Sequence, residues 1–379
     1  MDSKITRLLC KPILSLCPRF FLVLVLLFFL FICLWNFMDL NSTFCHPVEK
    51  SLPTILLQSE PQNKNGPFSK TEQNNLELTI LVWTWPFGER FPLDTCEKVY
   101  GISGCHLTDD HRLYKHADAV IIHHQDVMYV KGKLPQAPRP PNQWWVWFNL
   151  ESPSYTPNMD MLDNLFNLTM TYRYDSDIVR PYGWLEVLKE PQDFIIPKKS
   201  KLVAWAISNW NPNTQRVKYY EELKKHIPID IFGKKHQPLH WDNLISTISM
   251  YKFYLSFENS VHVDYITEKL WNNALLSGAV PIVSGPPREN YERFLPRDSF
   301  IHISDFPSAK EMAAYLLELD ANNEKYQHYF QWRSRLRVRR EVGWDNHYCK
   351  ACRVLRHAPA YKIIPSVAKW FSSQDYPVQ

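Results

Sequence analysis

Glycine is scarce in this chain. Its 379 residues include 10 glycines against 28 prolines, and no two glycines stand as Gly-x-Gly. That excludes both the P-loop and the dinucleotide fingerprint, so any phosphate bound here must meet side chains rather than bare backbone. An excess of one charge is missing too, since 43 Lys and Arg face 39 Asp and Glu. Nucleic acid is therefore not an implied partner, although Arg333, Arg335, Arg337, Arg339 and Arg340 crowd one stretch; a solvated helix face is the simpler reading. Gly-x-Ser-x-Gly, His-Glu-x-x-His and EF-hand patterns are absent as well.

Aromatic residues are plentiful, with 14 Trp, 19 Tyr and 21 Phe in a chain that is 45% apolar. Such a composition excludes a disordered, collagenous or coiled-coil protein, and the length predicts roughly two domains. From Phe20 to Met38 the only strongly polar side chain is Asn36, and Lys4, Arg7, Lys11 and Arg19 precede the run. Nineteen helical residues reach about 28 Å, close to the hydrocarbon thickness of about 30 Å, and the flanking positive charge keeps the N-terminus cytoplasmic. The expectation is a tail at 1–19, an uncleaved type II signal anchor at 20–38 and a polar, proline-punctuated stem at 39–75, with the remainder in the lumen. Sequons at Asn41 and Asn167 agree with that topology.

Cys96, Cys105, Cys349 and Cys352 are expected to form two disulfides, of which three pairings are open: local, or either of two long-range sets. Cys45 is left over, to bridge two copies into a homodimer or to stay free.

Beyond residue 76, short apolar runs at 78–85, 119–123, 144–149, 166–172, 202–207, 227–232, 253–257, 279–283 and 300–303 read as buried strands. Helical patterns at 214–226, 267–277 and 309–319 alternate with the later ones. Alternation of this kind predicts an α/β fold of two doubly wound domains, at 76–200 and 201–379.

Two constellations promise chemistry. The first is Phe257-Glu258-Asn259-Ser260 followed by Asp264-Tyr265-Ile266-Thr267-Glu268-Lys269. A strand end, a polar loop and a helix start place Tyr265, Glu268 and Lys269 where open α/β sheets bind ligands. Lys269 with a second cation such as Arg216 would clamp a diphosphate, and Glu268 would hold ribose hydroxyls; an ordinary capped helix with a solvated lysine is the alternative. The second is the aromatic run Trp144 to Phe148 delivering Glu151 through Asn149 and Leu150. A carboxylate among aromatics is a candidate general base, its proton affinity raised by desolvation. His123, His124 and Asp126 compete for that role. Asp175-Ser176-Asp177 has the Asp-x-Asp shape of metal-dependent glycosyltransferases, but three residues are a weak signal and a solvated turn is the simpler reading.

Together the Phe257–Ser260 and Asp264–Lys269 motifs, Ser208-Asn209-Trp210-Asn211-Pro212, Asn149-Leu150-Glu151-Ser152-Pro153 and Trp83-x-Trp85-Pro86-Phe87-Gly88 resemble the animal Golgi α-(1,3)-fucosyltransferases. The resemblance implies a two-domain GT-B fold with the domains facing across a cleft, a Golgi location, and inverting transfer of L-fucose from GDP-β-L-fucose. Glycoprotein or glycolipid termini would be the acceptors, with no divalent metal required. By position, Glu151 matches the base that deprotonates the acceptor 3-hydroxyl, and Arg216 and Lys269 match the diphosphate-binding cations. Tyr182, Ser208, Asn209, Tyr254, Asn259, Tyr265 and Glu268 match donor-pocket positions, and Glu89, Gln125, Ser152 and Pro153 fall on the acceptor side. Gln125 departs from the Arg or Trp of relatives at a position associated with acceptor chain type, which bears on α-1,3 against α-1,4 linkage. Glu89 stands where a relative has Gln, so retained activity with changed selectivity is expected. A metal-dependent transferase using Asp175 and Asp177, and an inactive glycan-binding relative, are the rival readings.

Overall fold

The computed structural model describes residues 77–129, 133–341, 343–357 and 361–375. The tail, the apolar run at 20–38, the stem, Asn41 and Cys45 lie outside the described residues. Among those described, no helix is long and apolar enough to cross a membrane.

β1 (Leu78–Val82), β2 (Cys105–Thr108), β3 (Ala119–His123), β4 (Trp144–Asn149), β5 (Leu168–Thr171) and β6 (Ile178–Val179) form a parallel sheet in the order β2-β1-β3-β4-β5-β6. A short strand, β7 (Gly183–Val187), leads towards a second sheet. There β8 (Lys201–Ala206), β9 (Ile229–Phe232), β10 (Tyr251–Phe257), β11 (Val280–Ser284) and β12 (Ile301–His302) run parallel in the order β12-β11-β10-β8-β9. The central strands β3, β4 and β10 are buried along nearly their whole length. Parallel sheets covered by helices on both faces demand this, and it is why these strands read as unbroken apolar runs.

Strand order reverses between β1 and β3 in the first sheet and between β8 and β10 in the second. Clefts open at the carboxyl ends of strands at such points, because the flanking connections leave in opposite directions. On the second sheet, Val217, Tyr220 and Leu223 of helix Gln215–Leu223 and Met312, Leu316 and Leu319 of helix Ala309–Ala321 pack on Val203, Trp205, Phe253 and Leu255.

The expected second region, 201–379, does not stay together. Helix Trp344–Leu355 packs Tyr348, Ala351 and Leu355 onto Ile80, Val146 and Phe148, and helix Val367–Ser372 packs Val367 and Phe371 with Val120, Ile122 and Trp147. Both therefore complete the first sheet's core. The chain returns there through β13 (Leu336–Arg340), which pairs antiparallel with β7. From Leu336 onward the arginine-rich stretch is thus a strand and not a helix face: Leu336 and Val338 point inward while Arg337, Arg339 and Arg340 are exposed, and Arg333, in the short helical turn before it, is buried. Two long-range disulfides, Cys96–Cys349 and Cys105–Cys352, settle the pairing and fasten helix Trp344–Leu355 to the first sheet.

The sequon at Asn167 is corrected by its surroundings. Asn167 is 0% exposed; its Oδ1 accepts the Trp145 amide at 2.7 Å and its Nδ2 donates to the Lys362 carbonyl at 2.6 Å. It stands just before β5, beside β4 in the same sheet, and its buried side chain leaves no room for a glycan.

Candidate active site

β4 ends at Asn149, whose buried side chain shapes the turn that follows. Its Nδ2 donates to the Glu151 carbonyl at 3.0 Å and to Thr156 Oγ1 at 2.9 Å, and Thr156 donates its hydroxyl to the Ser152 carbonyl at 2.7 Å. The turn holds Glu151 half-buried at the sheet's carboxyl edge. Burial raises its pKa above the ordinary carboxylate value; the Lys269 charge opposes this, Glu268 adds to it, and a hydrogen bond with Tyr265 favours the ionised form. Tyr265 packs against Tyr172 at 5.1 Å and edge-on to Tyr182 at 6.5 Å, and Tyr182 donates its hydroxyl to the Leu150 carbonyl at 2.7 Å. Glu151 therefore faces a wall of tyrosines that keeps water sparse around it.

The second sheet contributes the cations. Arg216, in the first turn of helix Gln215–Leu223, lies at the β8/β10 reversal, its Nη2 donating to the Asn209 carbonyl at 2.8 Å and its Nη1 directed at the Phe257 carbonyl 3.5 Å away. It is buried, no carboxylate among the described residues pairs with it, and its Nε has no hydrogen-bond partner. Burial lowers its pKa. A buried guanidinium bonded only to backbone carbonyls is costly, and its chemistry suits an anion. Lys269 opens the π-helix Lys269–Leu276 and lies 3.2 Å from Glu258 and 3.0 Å from Glu268. Burial works to lower its pKa, but the two carboxylates outweigh it and keep the ammonium charged above the ordinary lysine value. For Glu268, burial acts upward, while the charge and hydrogen bond of Lys269 prevail and hold the carboxyl below its usual value.

Ser208 and Asn209 are exposed just past β8. Asn259 is half-buried, its Oδ1 accepting the Ser260 hydroxyl at 2.9 Å. Tyr254 stands apart from the group. It is wholly buried, its hydroxyl takes the Asn273 amide at 3.1 Å, and burial pushes its pKa up to about 12. It supports the helix from below rather than lining the cleft.

On the acceptor side, Ser152 is buried and Pro153 half-buried. Gln125 donates to the Tyr155 carbonyl at 3.1 Å, and Glu89 accepts the Trp344 indole N–H at 3.0 Å. The rival histidines separate. His124 uses both ring nitrogens, with Trp147 at 3.2 Å and the Pro157 carbonyl at 2.9 Å, and burial depresses its pKa to about 4. His123 binds Asp126 at 2.6 Å. Asp175 pairs with Arg173 at 2.8 Å, while Asp177 accepts from Thr169 and pairs with Lys362. These two carboxylates turn to different partners and do not form a shared metal cradle.

Three participants carry no distinguishing signal in the sequence: Asn149 stands only as part of a motif, Trp344 has no signal, and Glu258 shows as a polar residue at a strand end while its burial does not.

Comparison with known families gives a consistent picture. The family profile described as "Fucosyltransferase, N-terminal" matches residues 75–183, and "Glycosyltransferase family 10 (fucosyltransferase) C-term" matches residues 196–370. The chain is 47% identical over 354 residues to the Bos taurus protein named 4-galactosyl-N-acetylglucosaminide 3-alpha-L-fucosyltransferase 9, covering 93% of this chain and 96% of that one. It is 51% identical over 300 residues to the Pan troglodytes protein named 3-galactosyl-N-acetylglucosaminide 4-alpha-L-fucosyltransferase FUT3, covering 78% and 80%. A solved structure, "Crystal Structure of alpha1,3-Fucosyltransferase with GDP-fucose", aligns with a TM-score of 0.49 at 18% identity over 78% of this chain and 95% of that one.

Proposed function

The chain belongs to glycosyltransferase family 10, the fucosyltransferases, and from that premise we propose how its two loops carry out the transfer. The enzyme is an α-(1,3)-fucosyltransferase: it moves L-fucose from GDP-fucose to the 3-hydroxyl of N-acetylglucosamine in N-acetyllactosamine-type glycans. In our reading the two sheets form a GT-B arrangement and the transfer inverts the anomeric centre. Glu151 takes the proton of the acceptor 3-hydroxyl as that oxygen attacks fucose C1. The C1–O bond to the diphosphate breaks on the opposite face, and Arg216 and Lys269 take up the charge that develops on GDP. Fixed cations in a closed cleft stabilise a leaving diphosphate without reorganising, which is the task a divalent metal performs elsewhere. Exposed Ser208 and Asn209, with Asn259, Tyr265 and Glu268, would hold the donor, and Glu89, Gln125, Ser152 and Pro153 the acceptor.

The observation that carries this reading is Arg216, a buried cation that no carboxylate among the described residues pairs with, at the strand-order reversal of the second sheet. The test is GDP release by the purified enzyme supplied with GDP-fucose and N-acetyllactosamine in EDTA. Acceptor-dependent turnover, lost in Glu151→Gln while GDP binding persists, is expected. Turnover abolished by EDTA would instead favour a metal-dependent transferase.

We also propose a Golgi setting with residues 20–38 as a type II anchor and the catalytic unit in the lumen, acting on glycoprotein or glycolipid termini. Two disulfides support an oxidising compartment. Cys45 is the candidate for linking two copies.

A further inference from the structure

Glu258 takes no part in the chemistry so far, yet its side chain is 1% exposed inside the donor loop. Its backbone amide donates to the Ser284 carbonyl at 2.7 Å, extending the β10–β11 ladder one residue past Phe257. Its Oε1 accepts the Thr267 backbone N–H at 2.8 Å, and the Thr267 hydroxyl lies 3.0 and 2.9 Å from its two oxygens. The Lys269 ammonium is 3.2 Å from Oε2, donates to Thr267 Oγ1 at 2.8 Å and pairs with Glu268 at 3.0 Å. One ammonium is thus shared between two carboxylates that differ in freedom. Glu268 has a side chain 44% exposed and can turn towards a ligand. Glu258 is held by the strand ladder and by Thr267 and cannot.

We propose that Glu258 is a positioning residue for the donor site: it fixes the Lys269 ammonium for the leaving diphosphate and, by sharing its charge, keeps GDP from binding too tightly to leave. The proposal rests on the reading that Lys269 faces the diphosphate. When the donor arrives, Glu268 can swing out, and Glu258 then remains the anchor from which the ammonium is aimed. Its negative charge offsets part of the attraction between Lys269 and the diphosphate oxygens, an effect that is strong where water is excluded. Precise placement matters to the chemical step more than to binding, because a displacement of about 1 Å in a positioning group costs on the order of 10²-fold in rate.

The experiment combines Glu258→Gln, Lys269→Met and the double variant, measuring GDP affinity by calorimetry and kcat with saturating GDP-fucose and N-acetyllactosamine. Gln keeps the shape and an oxygen for the Thr267 N–H while removing the charge. The expected result is a kcat lowered about 10- to 100-fold in Glu258→Gln, with GDP bound as tightly as in the parent or several-fold tighter, and no further loss when it is added to Lys269→Met. GDP affinity falling in step with kcat, or an equal loss in the Lys269→Met background, would overturn the proposal and leave Glu258 a structural residue. Unchanged GDP affinity in Lys269→Met removes the diphosphate reading of Lys269 itself, and this inference with it. If Glu258→Gln does not fold, Thr267→Val removes the hydroxyl joining Glu258 to Lys269; a kcat loss with retained GDP affinity is expected, and unaltered kcat overturns the proposal.

Discussion

The hydroxyl oxygens of Ser152 and Ser260 lie 2.7 Å apart, one on the loop after β4 and the other on the loop after β10. Two further contacts run alongside: Ser154 Oγ is 2.7 Å from His262 Nε2, and the Tyr174 amide donates to Asp264 Oδ2 at 2.9 Å. Asp264 adopts a positive φ of 60° to make its contacts, a conformation that aspartate tolerates better than most residues. The loop presenting the base and the loop presenting Lys269 are therefore held in register by hydroxyl and amide contacts, alongside the packing of Tyr265 on Tyr172 and Tyr182.

This register predicts coupling between the two serines. A double-mutant cycle on Ser152→Ala and Ser260→Ala should give an interaction free energy of about 1 kcal/mol in thermal or denaturant unfolding. Strictly additive losses would show that the contact contributes nothing to joining the loops.

Glu151 should show its burial in two pH dependences. As a base it works ionised, and its pKa is raised chiefly by burial, so kcat/KM should fall on the acid side at a pH above the ordinary glutamate range. For stability the sign is opposite to that of a salt-bridged carboxylate. A raised folded-state pKa means the native protein holds the proton more tightly than the unfolded chain does, so stability falls as pH rises from the unfolded value through the folded one. Glu151→Gln should therefore raise Tm at pH 7 and lose that advantage near pH 4. A Tm gain that does not change with pH would separate the effect from ionisation.

Much of the fold is legible because parallel strands buried on both faces leave continuous apolar runs, as in β3, β4 and β10. β2 is invisible for the same reason in reverse: Cys105–Thr108 is a four-residue edge strand with no period. In β13 the inward Leu336 and Val338 alternate at the strand period, but the intervening arginines carry the louder signal and read as a charged helix face. The donor loop announces itself through polar density at a strand end. What it cannot announce is which of its carboxylates is buried: Glu258 and Glu268 look alike in sequence, and only the fold of the loop, bringing Thr267 onto Glu258, separates them. Asn167 misleads for a related reason, since a sequon records residue types and not burial.

Glu89 accepts the Trp344 indole N–H on the acceptor side. Glu89→Gln keeps an oxygen for that bond and removes a negative charge. The rate on sialylated relative to neutral lactosamine should rise by about 5-fold, the equivalent of ~1 kcal/mol for like charges about 4 Å apart in water. Unchanged relative rates would place Glu89 away from the acceptor.

Asn167→Gln should leave the glycosylated mass of the secreted or membrane-extracted protein unchanged, in contrast to Asn41→Gln. It should lower stability, since the Trp145 amide and the Lys362 carbonyl each lose a buried partner, at about 1–3 kcal/mol per unsatisfied group. A mass shift at unaltered stability would mean that the Asn167 side chain faces solvent.

The two disulfides should behave non-additively. They span 253 and 247 residues of sequence, but their ends are neighbours: Cys96 and Cys105 are nine residues apart, Cys349 and Cys352 three. Once either bond has closed the long loop, the other constrains only the small ring between them. In the loop-entropy account the first closure is worth about 5 kcal/mol and the second about 3 kcal/mol. Removing one pair, as Cys96→Ser with Cys349→Ser, should therefore cost about 3 kcal/mol whichever pair is chosen, while removing all four cysteines should cost about 8 kcal/mol. Losses of equal size for the second pair and the first would mean that the bonds act through local strain or packing, and not by holding helix Trp344–Leu355 to the first sheet.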